Sequence, residues 1–423
     1  MLSSFRIRRE LCLLSALLSS VSMCVADGVA PRTLTLEECL RRTVARSPDL
    51  QSGAYKTKAA EHRAKKASRP LNPRLAAEVE NAAGTGDVRG YDAAETTLSV
   101  SQELELGGKR QSRTVAAEAE AALSRADQNV NLQARLFETR LAALALLTAQ
   151  KKARLTEQEL ALTREIESVA HAREKAGKTT AVETERARAE TAQAEIALEA
   201  RRAEQRDAVR NLALCWGEVD PTFDALADAP PSDPQALPAV DALVINAATN
   251  PELLAAEAQV RACEAKTAVE RSARIPNLEV SVGVRRLEES GDYGAVAGIG
   301  VELPLFTRNR NGIKASEADA EAARLDAVAA RLKTEGLVRQ IYAKIAALEA
   351  NHRRFSQTVL PITERALTLV RQAHQQGKAG YLEVLEARRS LIAAQLQKID
   401  SEDESARLRI ELNRLSNTPF KTL

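Results

Sequence analysis

The stretch from Ala172 to Thr179 fits the loose phosphate-loop pattern, with Gly177, Lys178 and Thr179 in the places of its glycine, lysine and hydroxyl. A working phosphate loop follows a buried strand and opens a helix, so that backbone N–H groups cradle the phosphates. Here a long charged helical pattern precedes it. Its echo at Gly377-Lys378-Ala379 lacks the hydroxyl that would hold Mg²⁺. The pattern therefore reads as a helix–turn–helix tip, where glycine ends one helix left-handed and the next begins at once. His62, His171, His352 and His374 are not paired at i,i+4 and lie in no Cys/His cluster, so no metal ligand set is expected. No nucleophile–base constellation is visible. The reading is of a non-enzyme with no catalytic residues and no cofactor.

The elements that position these tips come in two copies. Ser47-Pro48-Asp49-Leu50 returns about 200 residues later as Asn250-Pro251-Glu252-Leu253. Ala176-Gly177-Lys178 returns as Gln376-Gly377-Lys378, and Glu185-Arg186-Ala187-Arg188 as Leu385-Glu386-Ala387-Arg388. The parts keep the same order, which predicts a pseudo-symmetric fold. The boundaries read as a first repeat over 27–216, a Pro- and Asp-rich linker over 217–239, a second repeat over 240–416 and a tail over 417–423. In the first repeat a β-hairpin over 74–106 precedes a long helical hairpin over 109–214. In the second, a β-hairpin over 278–305 precedes one over 313–416. Residues 109–175 contain neither Pro nor Gly, which predicts a rod of roughly 100 Å at about 1.5 Å per residue. Pro361 has no counterpart in the first copy, where Ala161 stands, and predicts a kink or break in the second rod.

Aromatic residues make up only 3% of the 423 residues, as suits long helices packed through small side chains. The net charge of +2, with acids and bases interspersed, argues against a nucleic-acid partner, which needs a basic face. Arg6, Arg8 and Arg9 precede an apolar run that ends in small residues at Cys24-Val25-Ala26, the pattern of a signal peptide over 1–26. Lipidation at Cys24 is the weaker reading, because Met23 is a poor residue to precede it. Cys39, Cys215 and Cys263 would remain in the mature chain, an odd number that gives no disulfide framework.

Both hairpins alternate apolar and polar residues over strands of about ten residues, the pattern of an outer-membrane barrel. Four strands cannot close around a lumen, and open edges are not tolerated in lipid. Two chains would make a small barrel filled by side chains, whereas three would make twelve strands around a channel. The expected architecture is mainly α with a membrane β part. Each chain of a homotrimer contributes four β-strands to a 12-stranded outer-membrane β-barrel, set in outer-membrane lipid, with rods long enough to span much of a periplasm.

Leu34-Thr-Leu-Glu-Glu-Cys-Leu40 with Ser47-Pro-Asp-Leu50 resembles the opening of the outer-membrane efflux protein (TolC-like) family. So do Glu105-Leu-Gly-Gly-Lys-Arg110 and Val301-Glu-Leu-Pro-Leu-Phe-Thr-Arg-Asn-Arg310 after the two hairpins, and Tyr381-Leu-Glu-Val-Leu-Glu-Ala387 after Gly377. The order of motifs over 34–416 carries the resemblance, and the Leu-Phe-Thr-Arg-Asn-Arg stretch is most similar to the heavy-metal (cobalt–zinc–cadmium) subgroup. The resemblance implies that the internally duplicated long helical hairpins form a periplasmic α-tunnel continuing the barrel, and that the whole is a passive exit duct for heavy-metal cations, driven by an inner-membrane resistance–nodulation–division pump through a periplasmic adaptor. It places the protein in the outer membrane with a large periplasmic part. Glu183, Glu383 and Glu386 match acidic positions at the family's constricted periplasmic entrance and would form the gate. Gly177, Lys178, Gly377 and Lys378 would be the adaptor-docking tips. Ala379 stands where the family's gate can carry an arginine. The alternative reading is a periplasmic coiled-coil adaptor or scaffold, which normally has one helical hairpin rather than two.

Overall fold

The computed structural model describes residues 32–227, 237–306 and 308–418. The signal peptide over 1–26, the middle of the linker over 217–239 and the end of the tail lie outside these. A two-residue strand β1 (Thr33–Leu34) leads to α1 (Leu36–Arg46), whose first turn is capped by Thr35: its hydroxyl accepts from Glu38 N–H at 3.3 Å. Ser47 and Pro48 then stop α1 and start α2 (Pro48–Ala67), because proline has no N–H to lose at a first helical position. The same device recurs after a second short strand, β4 (Ala225–Leu226). There α5 (Val240–Ala247) gives way to α6 (Pro251–Ser272), with Asn250 accepting from Glu252 N–H at 2.8 Å.

Four strands form one antiparallel sheet in the order β2 (Arg74–Glu80), β3 (Glu95–Leu104), β5 (Leu278–Leu287), β6 (Tyr293–Val301). The central pairing joins the two copies along its whole length, from Glu95 opposite Leu287 to Leu104 opposite Leu278. Because side chains alternate, apolar rows cross all four strands on one face: Leu75, Val100, Val282 and Ala297 in one row, Ala77, Leu98, Val284 and Ala295 in the next.

The rods follow each hairpin. Helix α3 (Lys109–Lys175) runs unbroken for 67 residues, and α4 (Ala181–Leu214) returns along it. In the second copy α7 (Arg310–Arg354) and α8 (Leu360–Gln375) make the outgoing rod and α9 (Tyr381–Ser416) the return. The expected disturbance at Pro361 takes a specific form. A π-helical turn over Phe355–Val359 joins α7 to α8, with Leu360 N–H bonded to the Phe355 carbonyl five residues back. The wider turn makes room for a ring that would otherwise collide with the carbonyl four residues earlier.

Each copy has its own core where a short helix plugs between two rods. In the first, Cys39 packs with Ala143, Leu146, Leu212, Trp216 and Phe223. Gln150 clamps the Leu226 backbone there, donating to its carbonyl at 3.1 Å and accepting from its N–H at 3.0 Å. In the second, Leu243 and Ala247 meet Val338, Ile341, Ile345, Leu412 and Leu415. Leu146 is fully buried, so Leu146→Ala should lower stability by about 2–5 kcal/mol. Trp216, the single tryptophan and a neighbour in that core, reports the loss as an earlier guanidinium midpoint in fluorescence.

Candidate functional site: the hairpin tips and the strand sheet

Both tips are built alike. Gly177 and Gly377 have φ of 66° and 74°, a region that costs other residues energy. Lys178 N–H reaches the Arg173 carbonyl at 2.9 Å, and Lys378 N–H the Ala373 carbonyl at 2.8 Å, closing the last turns of α3 and α8. The phosphate-loop pattern is thus the end of a long helix and a turn. Lys178 and Lys378 are exposed beside these glycines.

The three acidic positions part company. Glu383 and Glu386 are exposed on the first turns of α9. Glu183 instead turns into the seam between the hairpins, where its Oε1 lies 3.4 Å from His374 Nε2. Its other oxygen accepts from the Thr179 hydroxyl at 2.5 Å.

Below the tips the seam holds a buried ionic group that the repeats conceal. Arg388, almost wholly buried, bonds Glu190, which also accepts from Arg389 at 2.7 Å. Tyr381 packs beside them on Ala170 and Ala187. Burial, and then the nearby Glu190 carboxylate, push the Tyr381 hydroxyl above its usual range. Burial likewise raises Glu159, with Arg388 pulling against it. Arg371 bonds Glu165 across the same seam at 2.5 Å. Arg388 repeats Arg188 in sequence, so only the spatial meeting of α4 and α9 singles it out.

The sheet supplies the other surface. Among the described residues nothing covers its apolar face: Leu75, Leu98, Val100, Val282, Val284 and Ile299 are all exposed. Tyr293 is exposed at one end of that face and Phe306, at 98%, beyond the other. Strands of ten residues rise about 25 Å when tilted roughly 40°, the height of a barrel's apolar band flanked by aromatic girdles. The opposite face carries Arg285, bonded to Glu95 at 2.6 Å, Glu80 at 3.1 Å and the Thr97 hydroxyl at 3.0 Å. Glu78, Glu103 and Glu279 share that face. Strands β2 and β6 have a free edge each within the chain.

Among the described residues no helix is long and apolar enough to cross a membrane, and no group of three or more His, Cys, Asp and Glu side chains could hold a metal ion. Cys39, Cys215 and Cys263 are free thiols. Burial pushes the Cys39 thiol up to about 11, so it is inert at neutral pH.

Two outcomes follow from the seam. Arg388→Ala leaves Glu190, beside Glu159, with only the exposed Arg389 as partner, a loss of at most about 3–5 kcal/mol for a broken buried pair; raised single-channel conductance in planar bilayers would register the loosened seam, with Arg388→Lys intermediate. Glu159 has a raised folded value, so its ionised form destabilises the fold above that value and the penalty vanishes below the ordinary carboxylate value. Glu159→Gln should therefore raise the melting temperature at neutral pH and converge with the parent near about pH 4.

Comparison with known proteins agrees with this architecture. The chain is 29% identical over 370 residues to the cobalt-zinc-cadmium resistance protein CzcC of Cupriavidus metallidurans, covering 86% of this chain and 85% of that protein. It is 31% identical over 352 residues to the nickel-cobalt-cadmium resistance protein NccC of Alcaligenes xylosoxydans xylosoxydans, covering 81% and 77%. A membrane protein from Pseudomonas aeruginosa superposes with a TM-score of 0.78 at 21% identity, covering 94% of this chain and 97% of that one. CusC superposes with a TM-score of 0.75 at 18% identity, covering 94% and 99%. The outer membrane efflux protein family matches residues 39–218 and 245–418, one stretch per copy, and the chain belongs to that family.

Proposed function

We propose that three copies of this chain form the outer-membrane exit duct of a tripartite efflux system whose cargo is heavy-metal cations. The observation that carries the reading is the four-stranded sheet with an uncovered apolar face and two unpaired edges. In lipid each edge must find a strand, and joining β6 of one copy to β2 of the next satisfies both at once. Three copies supply twelve strands, wide enough for a water-filled lumen. Arg285 and the glutamates of the polar face would then line the exit. The helical hairpins continue as a periplasmic tunnel, and the tips at Gly177, Lys178, Gly377 and Lys378 dock to a periplasmic adaptor. Energy comes from an inner-membrane resistance–nodulation–division pump.

The metal cargo is supported by relatives that confer resistance to cobalt, zinc, nickel and cadmium. Exposed Glu383 and Glu386, repeated around a three-fold axis, would make an acidic entrance that concentrates cations. Glu183 acts differently, within the seam rather than on the lumen. A periplasmic adaptor or scaffold is disfavoured, because neither needs two amphipathic strand pairs in one sheet.

Deleting the gene and challenging cells with a panel of metals and drugs tests the reading. Sensitivity to cobalt, zinc or cadmium, restored by the full-length gene, is the expected result. Unchanged metal tolerance with new drug sensitivity would reassign the cargo.

A further inference from the structure

His374 and Glu183 face each other in an arrangement that ordinary hydrogen bonding leaves incomplete. His374 sits in the last turn of α8 with its side chain only 8% exposed. Its Nδ1 lies 3.1 Å from the Ala379 carbonyl, which only accepts, so Nδ1 carries the ring proton. In the neutral ring Nε2 is then a lone pair, and it stands 3.4 Å from Glu183 Oε1. That oxygen is buried and has no hydrogen-bond partner among the described residues. In that neutral form two electron-pair donors face each other, on side chains only 8% and 18% exposed.

The gap has the width of a coordination edge. Two ligands bound to one tetrahedral Zn²⁺ at about 2.0–2.2 Å stand about 3.3–3.5 Å apart. Imidazole nitrogen with carboxylate oxygen suits Zn²⁺, Co²⁺ or Ni²⁺ and not Mg²⁺ or Ca²⁺. Two arginines lie nearby, of which one is paired with a carboxylate. Arg371 is bonded to Glu165, and Arg173 donates to the His374 carbonyl.

We propose that His374 Nε2 and Glu183 Oε1 are the two protein ligands of an exchangeable site for a divalent transition-metal ion, which bridges the hairpins at their tips. The site rests on the metal-cargo reading: the transported ion itself closes the seam between α4 and α8. Two protein ligands with water elsewhere make a weak site, suited to passing cargo rather than to a resident ion.

Calorimetric titration of the full-length detergent-solubilised protein with Zn²⁺ tests this, with Mg²⁺ as control and Co²⁺ absorption as a second readout. The expected result is a Zn²⁺ site that disappears in His374→Gln and weakens about tenfold or more in Glu183→Gln, yet persists in a Glu383→Gln/Glu386→Gln variant. Circular dichroism and oligomeric state confirm that each variant folds. Equal Zn²⁺ binding by the parent and His374→Gln overturns the proposal, as does equal competition by Mg²⁺. So does absence of Zn²⁺ binding by the parent. None of these results touches the metal-tolerance assay, so failure of the site and failure of the efflux reading are separable.

Discussion

Backbone hydrogen bonding in a medium without water is the constraint on which the rest of this structure depends. An apolar face on a four-stranded sheet selects lipid as its surroundings, and lipid leaves no solvent for the N–H and C=O groups along β2 and β6. Within the chain each of these strands keeps one edge without a partner strand among the described residues. The duplication eases the problem. Each copy brings one hairpin, and the β3–β5 pairing welds the two into a unit with only two edges instead of four. The rods inherit their placement from this sheet, since each outgoing rod starts directly after a strand pair.

Below the sheet, stability is unevenly distributed. The two cores around Leu146 and Ile345 are apolar and fully packed, with their few polar groups tied to backbone. The tips are held by charge and by small residues. Of the buried polar atoms without a partner among the described residues, Arg173 Nε, Glu183 Oε1, Thr184 Oγ1 and Arg388 Nε all lie in or near the seam. Desolvated groups with unmet demands make an interface that loses little when water enters. The same chain therefore combines two apolar, packed cores with a seam whose buried polar groups are only partly paired.

How much of this was legible beforehand differs by element. The strands could be read because one face must be apolar, which imposes a period of two on Leu98-Ser-Val100 and Val280-Ser-Val282-Gly-Val284. The tips could be read because only glycine takes their left-handed turn without strain. The β3–β5 pairing could not, since register between strands far apart in sequence is decided in space. Glu183 looked equivalent to Glu383 because both open a helix one turn after a glycine. Its burial depends on His374, a residue on another rod with no local mark. Arg388 was hidden for the same reason, being one of many arginines on charged helical faces.

The π-helical turn at Phe355–Val359 has a mechanical consequence. Helix α3 is an uninterrupted shaft, so a rotation imposed at Gly177 is carried whole to the strand end at Lys109. The rod made of α7 and α8 contains a universal joint, where a wider ring of backbone and a proline without an N–H weaken torsional stiffness. A twist applied at Gly377 meets that joint about a quarter of the way along the rod, before it reaches the sheet.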